Sequence, residues 1–255
     1  MKSLSLAALA LALGYPQVAA ARDVAFISCP IVRDTSSVPC WLSEYDGQLY
    51  YMGIQTDVSA DFNPPSLGHK VLVEGTVKPA EEICGGKVLD AVTVSVLPDL
   101  SPECNTMLMA EARYELPFEA PRPPGPSMGQ LAFTPPPPPA LPEAPFPEKT
   151  FTIAYSFDGK VNFQTPRALQ PILQYANHVG ASRIEITGYR AAVRLSDGEL
   201  AQERADIAQL RADQIAELLR GAGLDQPEYV IRASAEPQIG GPEQRKVTVR
   251  ILPGK

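Results

Sequence analysis

Along residues 24–115 apolar and polar positions change in short runs. Phe26 and Ile27 precede Cys29, Cys40-Trp41-Leu42 opens a second run, and Leu49 to Ile54 forms a third after the turn Tyr45-Asp46-Gly47. Lys70 to Val77 alternates with period two over part of its length, Gly85-Gly86 supplies a turn, and Val88 to Leu97 is rich in β-branched residues. Successive side chains of a strand point to opposite faces, so period two between turn residues predicts strands. The runs amount to about five short strands without a helical stretch between them, which predicts a small β-barrel or sandwich.

From residue 149 the period changes. Phe151 to Tyr155 alternates like a strand. Thr165-Pro166 then opens a helix, because threonine caps the first free N–H groups and proline fits the first turn. Leu169, Ile172, Leu173 and Ala176 fall on one face and Gly180 ends the helix. Pro171 lies inside this pattern and predicts a kink or a later start. Arg183 to Thr187 is a strand. A loop leads to Ser196-Asp197, which caps a second helix running from Glu199 to Arg220 and ending at Gly221 or Gly223. Its apolar side is Leu200, Ile207, Leu210, Ile215, Leu218 and Leu219. Tyr229 to Ala233 and Lys246 to Leu252 are the last strands. The order β-α-β-α-β-β predicts an α/β sandwich.

Composition separates these segments. Of 27 prolines in 255 residues, thirteen lie between Pro117 and Glu148, including the run Pro135 to Pro139. Proline fixes φ and removes backbone donors, so residues 116–148 form a linker, extended as polyproline II. At ~3.1 Å per residue it reaches toward ~90–100 Å. The first 21 residues read as a signal peptide: Lys2 is the positive start, Leu4 to Leu13 the apolar stretch, and Ala19, Ala20 and Ala21 the small residues before cleavage. The apolar stretch is shorter than the ~20 residues a membrane span needs. The chain is therefore expected in the periplasm, possessing no integral membrane segment, with residues 22–115 and 149–255 as its folded domains.

Export suits the cysteines. Cys29, Cys40, Cys84 and Cys104 all precede the linker, and an even number in an exported segment predicts two disulfides. Three pairings are possible. Cys29–Cys104 with Cys40–Cys84 is the one favoured here, because it ties the start of the domain to its end. Charge is uneven: residues 22–148 carry 7 basic and 17 acidic side chains, and residues 149–255 carry 14 and 12. Neither segment has the concentrated basic face that nucleic acid requires.

Three patches of the C-terminal segment, in order, carry a resemblance. These are Ile184-Glu185-Ile186-Thr187-Gly188-Tyr189, the helix Leu210-Arg211-Ala212-Asp213-Gln214-Ile215-Ala216-Glu217-Leu218-Leu219, and Gln244-Arg245-Lys246-Val247-Thr248-Val249. Residues 149–255 resemble the OmpA-like C-terminal domain of peptidoglycan-associated proteins, and the strand count of residues 22–115 suits an OB-like barrel. The first resemblance implies non-covalent binding of the diaminopimelate peptide of peptidoglycan. In the family an Asp after the Thr-Gly strand takes the ligand's ammonium and a helix Arg takes a carboxylate. Arg is suited to that role by its planar fork. Arg211 stands at the helix position, but after Gly188-Tyr189 the chain reads Arg190-Ala191-Ala192, without the Asp. The candidate ligand residues are thus Arg211, Tyr189, Arg190, Asp197 and Glu199, with Asp197, Glu199 or Glu203 placed to fold back and substitute for the acid. The plain alternative makes Arg211 a structural ion pair. Arg245 and Lys246 are expected as exposed strand-end charges.

Catalytic chemistry finds little footing. His69 and His178 lie on different domains, no Gly-x-Ser-x-Gly elbow occurs, and Gly240-Gly241-Pro242 is a turn rather than a phosphate loop. No cofactor or metal is expected. The expected role is contact with peptidoglycan or another envelope protein, the rival being a protein–protein adaptor whose OmpA-like domain has lost its ligand. A more remote option is glycan binding by the first domain through Trp41, Tyr45, Tyr50, Tyr51 or Phe62.

Overall fold

The computed structural model describes residues 22–36, 38–54, 67–114, 142–160 and 165–254. The expected leader, Phe62 and most of the proline-rich segment lie outside these residues.

Among the described residues the N-terminal half consists of β1 (Asp23–Ser28), β2 (Pro30–Arg33), β3 (Cys40–Tyr45), β4 (Gln48–Ile54), β5 (His69–Ile83), β6 (Gly86–Leu100) and β7 (Thr106–Leu108), followed by one 3-10 turn at Ala112–Tyr114. Their order across the sheet is β1-β5-β6-β4-β3-β2-β7. β1 and β2 are one stretch of chain interrupted at Cys29. β1 pairs antiparallel with β5, and β2 pairs antiparallel with β3. One stretch therefore reaches from the β1 edge of the sheet to β2, next to the other edge strand, β7. β4 and β6 run parallel. Asp46 and Gly47, at φ 52° and 70°, make the two-residue turn between β3 and β4, a backbone twist that matches twisted strands.

The main core of this half is Phe26, Tyr50, Met52, Val71, Val73 and their neighbours. A second cluster packs Ile31 and Leu42 around Cys40 and Cys84. The disulfides are Cys29–Cys104 and Cys40–Cys84. The first links the break between β1 and β2 to the segment before β7.

The C-terminal half contains β8 (Lys149–Ala154), α1 (Thr165–His178), β9 (Ala181–Gly188), β10 (Ala191–Arg194), β11 (Leu200–Gln202), α2 (Ile207–Gly221), β12 (Glu228–Ala233), β13 (Gln238–Ile239) and β14 (Lys246–Pro253). Its main sheet has the order β12-β9-β14-β8, with β9 parallel to β12 and β14 antiparallel to both of its neighbours. Ile184 and Ile186 of β9 and Val247, Val249 and Ile251 of β14 point to one face. There they meet Leu169, Ile172 and Tyr175 of α1 and Ala212, Ile215 and Leu219 of α2. The opposite face carries ion pairs such as Arg183–Glu228 and Arg250–Glu185.

Three expectations need correction. The second helix begins at Ile207, not Glu199. Residues 191–202 form a hairpin, β10–β11, to which β13 adds in parallel. Leu200 and Ile207 are seven residues apart, which mimics helical periodicity. Glu203, bonded to the amides of Asp158 and Ala191, fixes the chain before the helix. Pro171 does not delay α1, which starts at Thr165 and runs on through an exposed Pro171 to His178. The last part of the expected linker also packs on the C-terminal half. Phe146 joins its core, and Pro142 and Pro147 accept hydrogen bonds from His178 and Tyr175.

The two halves touch. Leu72 of β5, Phe157 and Val193 of β10 form a buried cluster with Ala25, Ile27, Leu97, Leu195 and Ala201. The hairpin tip pairs with β1: Ala25 N donates to Ser196 Oγ at 3.0 Å, and Ser196 N donates to Ala25 O at 2.7 Å. Phe157 N donates to the buried Ser95 Oγ at 2.9 Å. Arg245 donates to Glu74 at 2.5 Å across the same seam. The distance between the halves is thus set by direct contact.

Candidate functional site

Arg211 sits on α2 where the helix runs past the end of β9. The approach is close because residue 188 is glycine: a Cβ there would lie 1.9 Å from the backbone oxygen of Ala208. This brings Arg211 under the Tyr189 carbonyl and beside the loop after β8.

Arg211 is wholly buried, and so is Glu203, its partner. The pair is two-pronged, with Nη2 to Oε1 at 2.6 Å and Nη1 to Oε2 at 3.2 Å. The remaining donors go to main-chain oxygens: Nε to Gly159 at 2.8 Å, Nη1 to Tyr189 at 3.0 Å, and Nη2 to Ser156 at 3.1 Å. A guanidinium has five N–H donors, and each finds an acceptor inside the chain. The Glu203 carboxylate is equally engaged. Besides Arg211 it accepts from Ala191 N at 2.6 Å and Asp158 N at 2.8 Å. Asp158 returns the contact by accepting from Arg204 N at 2.8 Å. Burial pushes the Asp158 carboxyl above its ordinary range against the pull of that amide. The Arg211 guanidinium also lies over the Tyr155 ring, 4.8 Å from its centroid. Burial pushes the Tyr155 phenol up to about 12, and its hydroxyl has no hydrogen-bond partner.

The other candidates do not gather around a shared ligand space with Arg211. Tyr189 contributes its carbonyl to Arg211 and its ring to Lys246 Nζ, 5.7 Å away. Arg190 is spent on the Ala235 and Glu203 carbonyls. Asp197 and Glu199 are exposed at the hairpin tip, where Asp197 Oδ1 accepts from Glu199 N. Of the three acids placed to fold back, Glu203 does so, and it lands on Arg211 itself.

Arg245 overturns its expectation as an exposed strand-end charge. It is wholly buried, paired with Glu74 at 2.5 Å, and two of its nitrogens, Nε and Nη1, have no partner. Burial pushes the Glu74 carboxyl up, beyond what Arg245 pulls back. The missed signal lay in the run Val71-Leu72-Val73, three consecutive apolar residues that are all buried. Val71 and Val73 face the main core of the N-terminal half, while Leu72 and Glu74 face the other half.

In the N-terminal half, Tyr50 is a core residue and Tyr45 stacks on Phe26 at 4.9 Å. Trp41 is packed against the same core. These aromatics are committed to packing rather than arrayed on a free face. No group of three or more His, Cys, Asp or Glu is placed to hold a metal among the described residues. Among them, too, no helix is long and apolar enough to cross a membrane. Two disulfides fit an oxidising compartment reached by export. Compared with known proteins, the chain matches no family model, no curated protein and no solved structure.

Proposed function

We propose that this is an exported, non-catalytic adaptor of the cell envelope, built from an OB-like barrel and an OmpA-like domain whose peptide site is closed by the chain's own Glu203. The observation that carries it is the saturation of Arg211: every donor is used, by a carboxylate and three carbonyls of the same chain. A ligand carboxylate would have to displace Glu203, leaving that acid buried beside two amides. Removing one member of a buried pair costs about 3–5 kcal/mol. The continuous stretch β1–β2, which pairs with β5 on one side of the sheet and β3 on the other, and the sheet order with β14 inside, support the two fold assignments. The periplasm is the proposed location, and the proposed partner is another envelope protein.

Purified peptidoglycan and in-cell crosslinking test this directly. The expected result is no co-sedimentation with the wall at low salt and a reproducible protein crosslink. Sedimentation with the wall that is competed by a diaminopimelate-containing peptide and lost in Arg211→Ala would overturn it in favour of wall binding.

A further inference from the structure

Among the described residues two arginines are completely buried, and they are opposites in their bonding. Arg211, inside the C-terminal half, has every donor satisfied. Arg245, at the seam between the halves, makes one ion pair to Glu74, lies over the Phe157 ring 5.8 Å from its centroid, and leaves Nε and Nη1 without hydrogen-bond partners. Buried donors without acceptors carry the full cost of leaving water. A desolvated pair with incomplete bonding is repaid poorly by its own attraction. The rest of the seam is smaller than either core: three buried apolar side chains, Leu72, Phe157 and Val193, five half-buried ones around them, the Phe157 N–Ser95 Oγ bond and the hairpin tip at Ala25. Each half, by contrast, has its own larger core, and both disulfides lie within the first.

We propose that the seam is a reversible clasp, which opens while both halves stay folded, and that the under-bonded Glu74–Arg245 pair is what keeps it weak. Opening returns water to the Arg245 nitrogens and to Glu74, and uncovers Phe157, Leu72 and Val193. The hairpin β10–β11 acts as the strap, since its tip alone carries the main-chain pairing to β1. Interfaces between domains of one chain commonly have this transient character, and sub-global openings of this kind precede unfolding.

Amide hydrogen exchange on the full oxidised chain tests the clasp. Phe157 N is the probe, because its acceptor Ser95 Oγ is buried and belongs to the other half. Phe26 in the barrel and Val249 in the C-terminal sheet are the references. After correction for intrinsic rates, Phe157 is expected to be protected at least about tenfold less than both references. Protection equal to theirs overturns the proposal. The double substitution Glu74→Leu with Arg245→Met replaces the pair by apolar groups. It is expected to raise Phe157 protection by about tenfold or more and leave the references unchanged; no change, or faster exchange, overturns the assigned role of the pair. Ser196→Ala, at an exposed turn, serves where the double variant does not fold. It is expected to speed Phe157 exchange severalfold although it touches neither Phe157 nor Ser95, and an unaltered Phe157 rate overturns the idea that the seam opens as one unit.

Discussion

Replacing Glu203 by glutamine removes one charge and almost no volume. In the native chain the two carboxylate oxygens accept four bonds, from Arg211 Nη1 and Nη2, Ala191 N and Asp158 N. A glutamine amide has one oxygen and one NH2 group. Whichever way it turns, its NH2 faces two donors and the Arg211 cation has no counter-charge. Breaking one partner of a buried pair costs about 3–5 kcal/mol. With a urea m value of about 1.5 kcal/mol/M, the midpoint falls by about 2–3 M. The two halves can be followed separately. Trp41 is the single tryptophan and lies in the barrel, and both α-helices of the described residues lie in the C-terminal half. The helical far-UV signal should therefore lose its midpoint while tryptophan fluorescence keeps its own. A helical midpoint shifted by less than about 0.3 M, the size of an ordinary surface substitution, would refute the closed-site reading of Arg211 and Glu203.

Three further outcomes follow from the same geometry. Gly188→Ala should destabilise the C-terminal half by about 1–3 kcal/mol and lower its helical midpoint accordingly, because its Cβ meets backbone rather than a movable side chain; an unchanged midpoint would mean α2 is not held against β9. Tyr155→Phe removes a buried hydroxyl without a partner and should stabilise the C-terminal half by about 1 kcal/mol. The Tyr155 phenol is raised when folded, so its contribution is whole below the free-tyrosine range near pH 10 and fades as pH climbs through about 12. Alkaline unfolding followed by circular dichroism should accordingly occur at higher pH in Tyr155→Phe, and identical curves would deny that phenol a role. Cys40→Ser with Cys84→Ser opens a bridge of sequence separation 44 and should cost the barrel about 4 kcal/mol in the chain-entropy model; a Trp41 transition in place would show the barrel closes without it.

The elements that rest on local chemistry were legible in the sequence. Thr165-Pro166 marks the start of α1, the Asp46-Gly47 turn marks the first hairpin, and Thr187-Gly188 marks the end of β9. What failed was decided by distant contacts. The stretch from Glu199 carries helical spacing, yet its conformation is set by Glu203 reaching Asp158, 45 residues earlier. Arg245 sits in a polar run, Gln244-Arg245-Lys246, and nothing nearby announces that its partner is Glu74, 171 residues away. Arg211 was identified as important, and Glu203 was among the acids placed near it. That the two would meet each other, with no ligand between them, depends on the turn of a hairpin whose apolar pattern imitates a helix.

The place of β14 also bears on export. It is an inner strand, flanked by β9 and β8, so β8 has no neighbour in the sheet until residues 246–253 have emerged. The barrel needs nothing beyond β7 for its strands, and Cys104 completes its second pair of cysteines. In a chain delivered from its N-terminus, the disulfide-bonded sheet of the first half can form while more than half of the sequence is still to come. The α/β half cannot form its sheet until β14 arrives, which keeps that half threadable for almost the whole of translocation.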